Sequence, residues 1–184
     1  MSTVLKRKRG LSDMEFYANA VKLRHAITTL LLRDFGIKDK VRNIDYFAKC
    51  EHMTEGDTKT LIELMDKYNI RKITDEYPLW LVDRFRSSLM EICRSLVMNI
   101  TAANTIYPMS EPEYYDRRHL QTAAICDCQK LLQEMQYIIS IVPVNAEKYM
   151  PYVEMIDFEI ALLTGWRKSD NRLLKGIRAK AAAC

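Results

Sequence analysis

Residues 82–103 read VDRFRSSLMEICRSLVMNITAA, and the spacing of their apolar side chains decides the fold. Val82, Phe85, Leu89, Ile92, Leu96, Asn99 and Ala103 recur at alternating intervals of three and four. Side chains at that interval share one face of an α-helix, whereas a strand would need a period of two. A second stripe, Met90, Cys93, Val97 and Ile100, runs beside the first. An apolar face of that width exceeds what one packing partner covers. It predicts a central place in a helical assembly or an interface between copies of the chain, with Met90, Cys93, Val97 and Ile100 as the oligomer contact.

The same period continues on both sides. Upstream, Phe16, Ala20, Leu23, Ile27 and Leu30 form one stripe. Ser12 or Asp13 is the expected N-cap, with Glu15 as the capping-box partner of Ser12 and Gly36 as the stop. Downstream of the quoted helix, which Pro78 opens and Asn104 and Pro108 end, a third helix starts at Glu111-Pro112. It carries Ala124, Cys128, Leu131, Met135, Ile138 and Val142, and Pro143 ends it. A fourth carries Tyr149, Val153, Ile156, Ile160 and Leu163, with a start or kink at Pro151 and Gly165 closing it. Residues 37–77 read as a helical insertion, with a short helix over Val41–Cys50 and a Thr54/Asp57 cap before Thr58–Tyr68. Short connections after the second and third helices make neighbours antiparallel. The expected fold is all-α: an antiparallel up-down four-helix bundle over 12–166, with the 37–77 insertion between helices one and two.

Charge is unevenly placed. The chain carries a net +4, yet residues 1–10 alone hold Lys6, Arg7, Lys8 and Arg9 without an acid. Residues 166–184 hold Arg167, Lys168, Arg172, Lys175, Arg178 and Lys180 against the single acid Asp170. A basic N-terminal tail (1–11) and a basic C-terminal tail (167–184) thus flank a mildly acidic body, and such ends attract polyanions. The chain opens without the apolar run of a signal peptide, and no apolar stretch approaches the roughly 20 residues of a membrane span. With five Cys, an odd number, reduced thiols in a cytoplasm are the simplest reading.

Catalytic constellations are missing from the sequence. There is no G-x-G-x-x-G and no P-loop. A di-iron bundle needs Glu-x-x-His on two helices, and the nearest match is one Asp116-x-x-His119. Cys126 and Cys128, two apart on a helix, point to opposite sides and cannot hold one metal. Glu159 lies near the apolar stripe, where burial would call for an arginine partner. No catalytic residue, metal or cofactor is assigned. The chemistry left is arginine and lysine at element ends: Arg84, Arg86, Arg117, Arg118, Arg167, Lys168, Arg172, Lys175 and Arg178. The topology brings the start of helix three to the end of helix four, so Arg117 and Arg118 should approach Arg167 and Lys168 and offer a phosphate site. Tyr46, Tyr107, Tyr114 and Tyr115 are candidates to stack on bases or to cap the packing.

Four stretches carry a resemblance: RFRSSLMEICRSLVMNITAAN over Arg84–Asn104, the pair Arg117-Arg118, Gln121–Ile125 and Leu131–Gln133. In these helices the chain resembles the accessory variability determinant (Avd) family of diversity-generating retroelements, four-helix bundles similar to the proteins of ribosomal RNA intervening sequences. The resemblance implies a homo-oligomer, a pentamer in that family. It also implies a non-catalytic role, binding a reverse transcriptase and template RNA or an RNA/DNA hybrid in mutagenic reverse transcription. Two other readings stand beside it: a helical adaptor that binds only protein, and a small DNA-binding regulator using the 37–77 insertion.

Overall fold

The computed structural model describes residues 10–32, 35, 54–68, 77–142 and 144–182. The expected helix over 41–50, the stops at Gly36 and Pro143, Tyr46 and the first nine residues lie outside them. Among the described residues every regular element is helical. The α-helices are α1 (Glu15–Leu32), α2 (Glu55–Lys67), α3 (Leu79–Thr105), α4 (Glu111–Ile141), α5 (Met150–Ser169) and α6 (Asn171–Ala182). Leu11–Asp13 and Ala146–Tyr149 form 3-10 turns.

Local chemistry accounts for most boundaries. α1 starts at Glu15, just past the expected cap, because a 3-10 turn precedes it. α2 has the expected capping box: the Asp57 carboxylate accepts from the Thr54 amide at 3.0 Å, and the Asp57 amide donates back to Thr54 Oγ1 at 3.3 Å. At the start of α4, the Glu113 carboxylate accepts from the amides of Met109 (2.7 Å) and Ser110 (3.1 Å), which holds its pKa below the ordinary value. Gly165 does not close α5. The helix runs on to Ser169, because Trp166 stacks on Phe16 with centroids 4.2 Å apart. A lone helical glycine costs only about 1 kcal/mol, which such packing outweighs. Residues 171–182, expected as a tail, are helical.

Four helices make the core. α3 packs on α1 and α4, and α5 packs on α4 and α1. Named contacts give the directions. Phe16 and Asn19 of α1 meet Trp166 and Glu159 of α5, while Phe35, just past α1, meets Tyr149 at the start of α5. Thr28 meets Met90, and Phe35 meets Phe85. Ser95 and Asn99 of α3 meet Asp127 of α4, and Phe85 meets Tyr137. Tyr114 and Arg118 at the start of α4 meet Asn171 and Arg167. Each of these neighbouring pairs is therefore antiparallel.

Phe35 closes the end of α1 under strain. Its φ of 59° lies in the left-handed region, which costs a bulky residue on the order of 1–2 kcal/mol. Its fully buried ring lies edge-on to Phe85, and its carbonyl accepts from the Tyr149 hydroxyl at 3.0 Å.

The expected double stripe of α3 resolves into one buried line: Val82, Phe85, Leu89, Cys93, Leu96, Ile100 and Ala103. Ile92 and Asn99 fall to its edge, because a straight helix of 3.6 residues per turn drifts away from a strict three-four alternation. Cys93 and Ile100 are 1% and 0% exposed within the single chain, and half-buried Met90 accepts from Thr28 of α1. Of the stripe assigned to an oligomer contact, Cys93 and Ile100 are thus buried within the chain, while Met90 and Val97 stay half-buried.

Candidate nucleic-acid interface

The nine basic residues singled out in the sequence divide into three groups. Arg84 and Arg86 lie in the first turns of α3, where the Arg86 guanidinium sits 5.9 Å above the Phe35 ring and pairs with Asp83 at 3.5 Å. That is the opposite end of the helical assembly from the start of α4. They do not join the remaining seven.

Arg117, Arg118 and Arg167 come together as the topology required, but they bond to protein. Arg117 is nearly buried. Its Nε donates to Asp170 Oδ2 at 2.6 Å, and its terminal nitrogens donate to Asp170 Oδ1 (3.5 Å) and to the carbonyls of Ala103 (3.2 Å) and Ile106 (2.8 Å). The guanidinium also lies 5.1 Å above the Trp166 ring. Little is left with which to hold a phosphate, so the phosphate role expected of Arg117 is corrected to an internal one. The physical reason is a buried carboxylate needing a counter-charge. Arg118 donates to the Tyr114 hydroxyl (2.9 Å) and to Asn171 Oδ1 (3.0 Å), and Arg167 donates to Thr122 Oγ1 (3.2 Å).

The third group faces solvent. Lys168, Arg172 and Lys175 are exposed and make no ion pair among the described residues. α6 contains no acid, and its Leu173, Leu174 and Ile177 are the half-buried side. At 100° per residue, Arg172 and Lys175 then fall on the opposite, outer side. Arg178 is tied across to Glu111 at 3.0 Å and reaches the Tyr115 hydroxyl at 3.4 Å. Tyr115 and Tyr107 are 51% and 56% exposed at this end, whereas Tyr114 is buried and bonds Asn171.

Four polar side chains are buried, Gln121, Asp127, Glu159 and Asp170, and of these the sequence reading considered burial only for Glu159. Gln121 is fully buried and donates to Asp170 Oδ2 at 2.7 Å, so Asp170 holds Arg117 and Gln121 together. Asp127 is 2% exposed and accepts from Ser95 Oγ (2.6 Å), Asn99 Nδ2 (2.8 Å) and Lys130 Nζ (2.9 Å). Glu159 is 0% exposed and has Asn19 Nδ2 as its partner at 2.8 Å, while its Oε1 has none. The arginine expected beside it is absent. Burial instead pushes its pKa up to about 7, against a smaller lowering by the Asn19 bond.

Burial likewise pushes the Cys93 thiol up to about 12 and raises that of Cys128, which makes both poor nucleophiles. Cys126 faces solvent, two residues from buried Cys128, as the helical spacing required. Among the described residues no three His, Cys, Asp or Glu side chains converge as metal ligands, and no helix is long and apolar enough to cross a membrane. Comparisons of the chain with protein families, curated proteins and solved structures gave no match.

Proposed function

We propose that the chain is an up-down four-helix bundle that binds RNA as a non-catalytic accessory protein. Its partners in this reading are a reverse transcriptase and the template RNA, or RNA/DNA hybrid, of a diversity-generating retroelement. The observation that carries the RNA reading is the outer face of α6. There Arg172 and Lys175 stand exposed on a helix without any acid, with exposed Lys168 just before buried Asp170, and Tyr115 and Tyr107 stand exposed at the same end. Cations that track a backbone and aromatic rings on which bases stack are what binding to a single strand needs. The reverse transcriptase, and a cyclic homo-oligomer such as a pentamer, rest on the resemblance in residues 84–104 and 117–133. Of the Met90–Ile100 stripe, half-buried Met90 and Val97 are the side chains left for such a contact.

The test is fluorescence anisotropy of the full chain with a single-stranded RNA at several salt concentrations. Binding that weakens steadily as salt rises supports the reading. No binding at low salt overturns it and favours the protein adaptor. That second reading has one observation of its own: Leu79 and Trp80 are 59% and 69% exposed at the start of α3, an apolar pair of the sort that anchors protein interfaces.

A further inference from the structure

The geometry points to a latch: Arg117, Gln121 and Asp170 hold α6 in one direction, so Arg117 is a positioning residue for the basic face rather than a contact in it. α6 has 12 residues, none of them buried. A helix that short is marginal in water by itself. Its order must come from docking, and the docking contacts concentrate at its first turn. Asp170, the residue between α5 and α6, is 6% exposed. Its carboxylate takes Arg117 on both oxygens and Gln121 on one. The Asp170 carbonyl accepts the amide of Leu173 at 2.9 Å, which starts α6 directly from the latched residue. Asn171 is gripped in turn by the Tyr114 hydroxyl and by Arg118.

The fork of Arg117 reaches further. Its bonds to the Ala103 and Ile106 carbonyls tie the end of α3 to the same node. Three segments thereby meet at one guanidinium: the end of α3, the start of α4 and the α5–α6 junction. A lysine cannot reproduce this, since a single ammonium lacks the planar fork. Farther along α6, the described residues add half-buried Ile177 and the exposed bonds of Arg178 to Glu111 and Tyr115, which water screens. Release of the latch should therefore free the whole of α6.

The experiment is hydrogen exchange on the full chain carrying Arg117→Met, Arg117→Lys or Asp170→Asn, with a 20-nucleotide oligouridylate as the RNA probe. The expected result is that amides over 173–182 exchange at least about ten times faster in all three, while α3 and the middle of α4 keep their protection. The Arg117→Met/Asp170→Asn double variant should exchange no faster there than the single variants, because both remove one device. Unchanged protection over 173–182 in Asp170→Asn, which keeps the side chain's shape, overturns the latch. So does an Arg117→Lys variant with wild-type exchange. The RNA arm rests on the reading of α6 as the RNA-binding face. If α6 is freed and oligouridylate affinity stays at the wild-type level, the latch stands and that reading falls.

Discussion

Glu159 and Asp170 belong to one helical run, and both are buried, yet the chain satisfies them by different means. Asp170 has a guanidinium on both oxygens and an amide on one. Glu159 has an amide on one oxygen and nothing on the other. Around Glu159 stand Asn19 of α1 and the thiol of Cys128 on α4, with no cation bonded to it. One carboxylate is neutralised by a counter-charge and the other by a proton. The first solution ties helices together through a fixed ion pair. The second makes the centre of the core sensitive to pH.

The largest effect expected from that difference is at Glu159. Its folded pKa, about 7, lies above the value of 4.5 that it has unperturbed, so between these limits the folded chain binds more protons than the unfolded one. The stability that Glu159 contributes is then fully present below about pH 4.5 and lost as pH rises to about 7, a loss on the order of 3 kcal/mol. Glu159→Gln cannot ionise. Urea titrations at pH 5 and pH 8 should show the variant gaining stability over wild type at the higher pH. Parallel stability curves across that range would mean the carboxyl is not held as described.

Asp127 gives a smaller contrast. Its carboxylate serves two donors from α3 and the Lys130 ammonium, so Asp127→Ala strands Ser95 and Asn99 in a half-buried site. Unmade bonds to a charged group cost about 1.5–3 kcal/mol, and thermal unfolding should read a loss in that range. A variant as stable as wild type would show that water replaces the carboxylate freely.

Smaller still is Asn19→Leu. Removing the amide takes one hydrogen bond from Glu159, worth about 1 kcal/mol, and removes the influence that favours its ionised form. Stability at pH 5 should drop by roughly that amount, and the fall towards pH 8 should shift to higher pH. A shift to lower pH would contradict the assignment. At the bottom of the scale, Arg178→Ala breaks only exposed bonds, to Glu111 and Tyr115, and no change in unfolding temperature is expected beyond measurement error.

The apolar half of this architecture was legible because it repeats. Phe16, Ala20, Leu23, Ile27 and Leu30, and Ala124 to Val142 on α4, are buried as their spacing requires. The polar half was not, since period says which face a residue shares and not whom it meets. Asp170 looked like one acid in a basic tail. A signal was nonetheless present: Arg117 and Gln121 extend the buried line of Ala124, Cys128 and Leu131 backwards at spacings of four and three. Glu159 likewise sits between Ile156 and Leu163 on the inner side of α5. Polar residues at core positions mark buried partners, and the partners lie 49 to 140 positions away, beyond the reach of any local pattern. For the candidate interface, the topology read from the sequence brought Arg117 and Arg118 to Arg167, while Arg84 and Arg86 lie at the other end. It could not separate Arg117, which closes the fold, from Arg172 and Lys175, which face outward.

That separation leads to the most direct measurement on the RNA reading. The full chain and a Lys168→Ala/Arg172→Ala/Lys175→Ala variant are titrated with a single-stranded RNA across a range of salt concentrations, and log affinity is plotted against log salt. Each lost phosphate contact on a single strand lowers the slope by about 0.7, so three should lower it by about 2, with unfolding temperature unchanged. Parallel lines for the two proteins would contradict the account, because the exposed face of α6 would then not be where RNA binds.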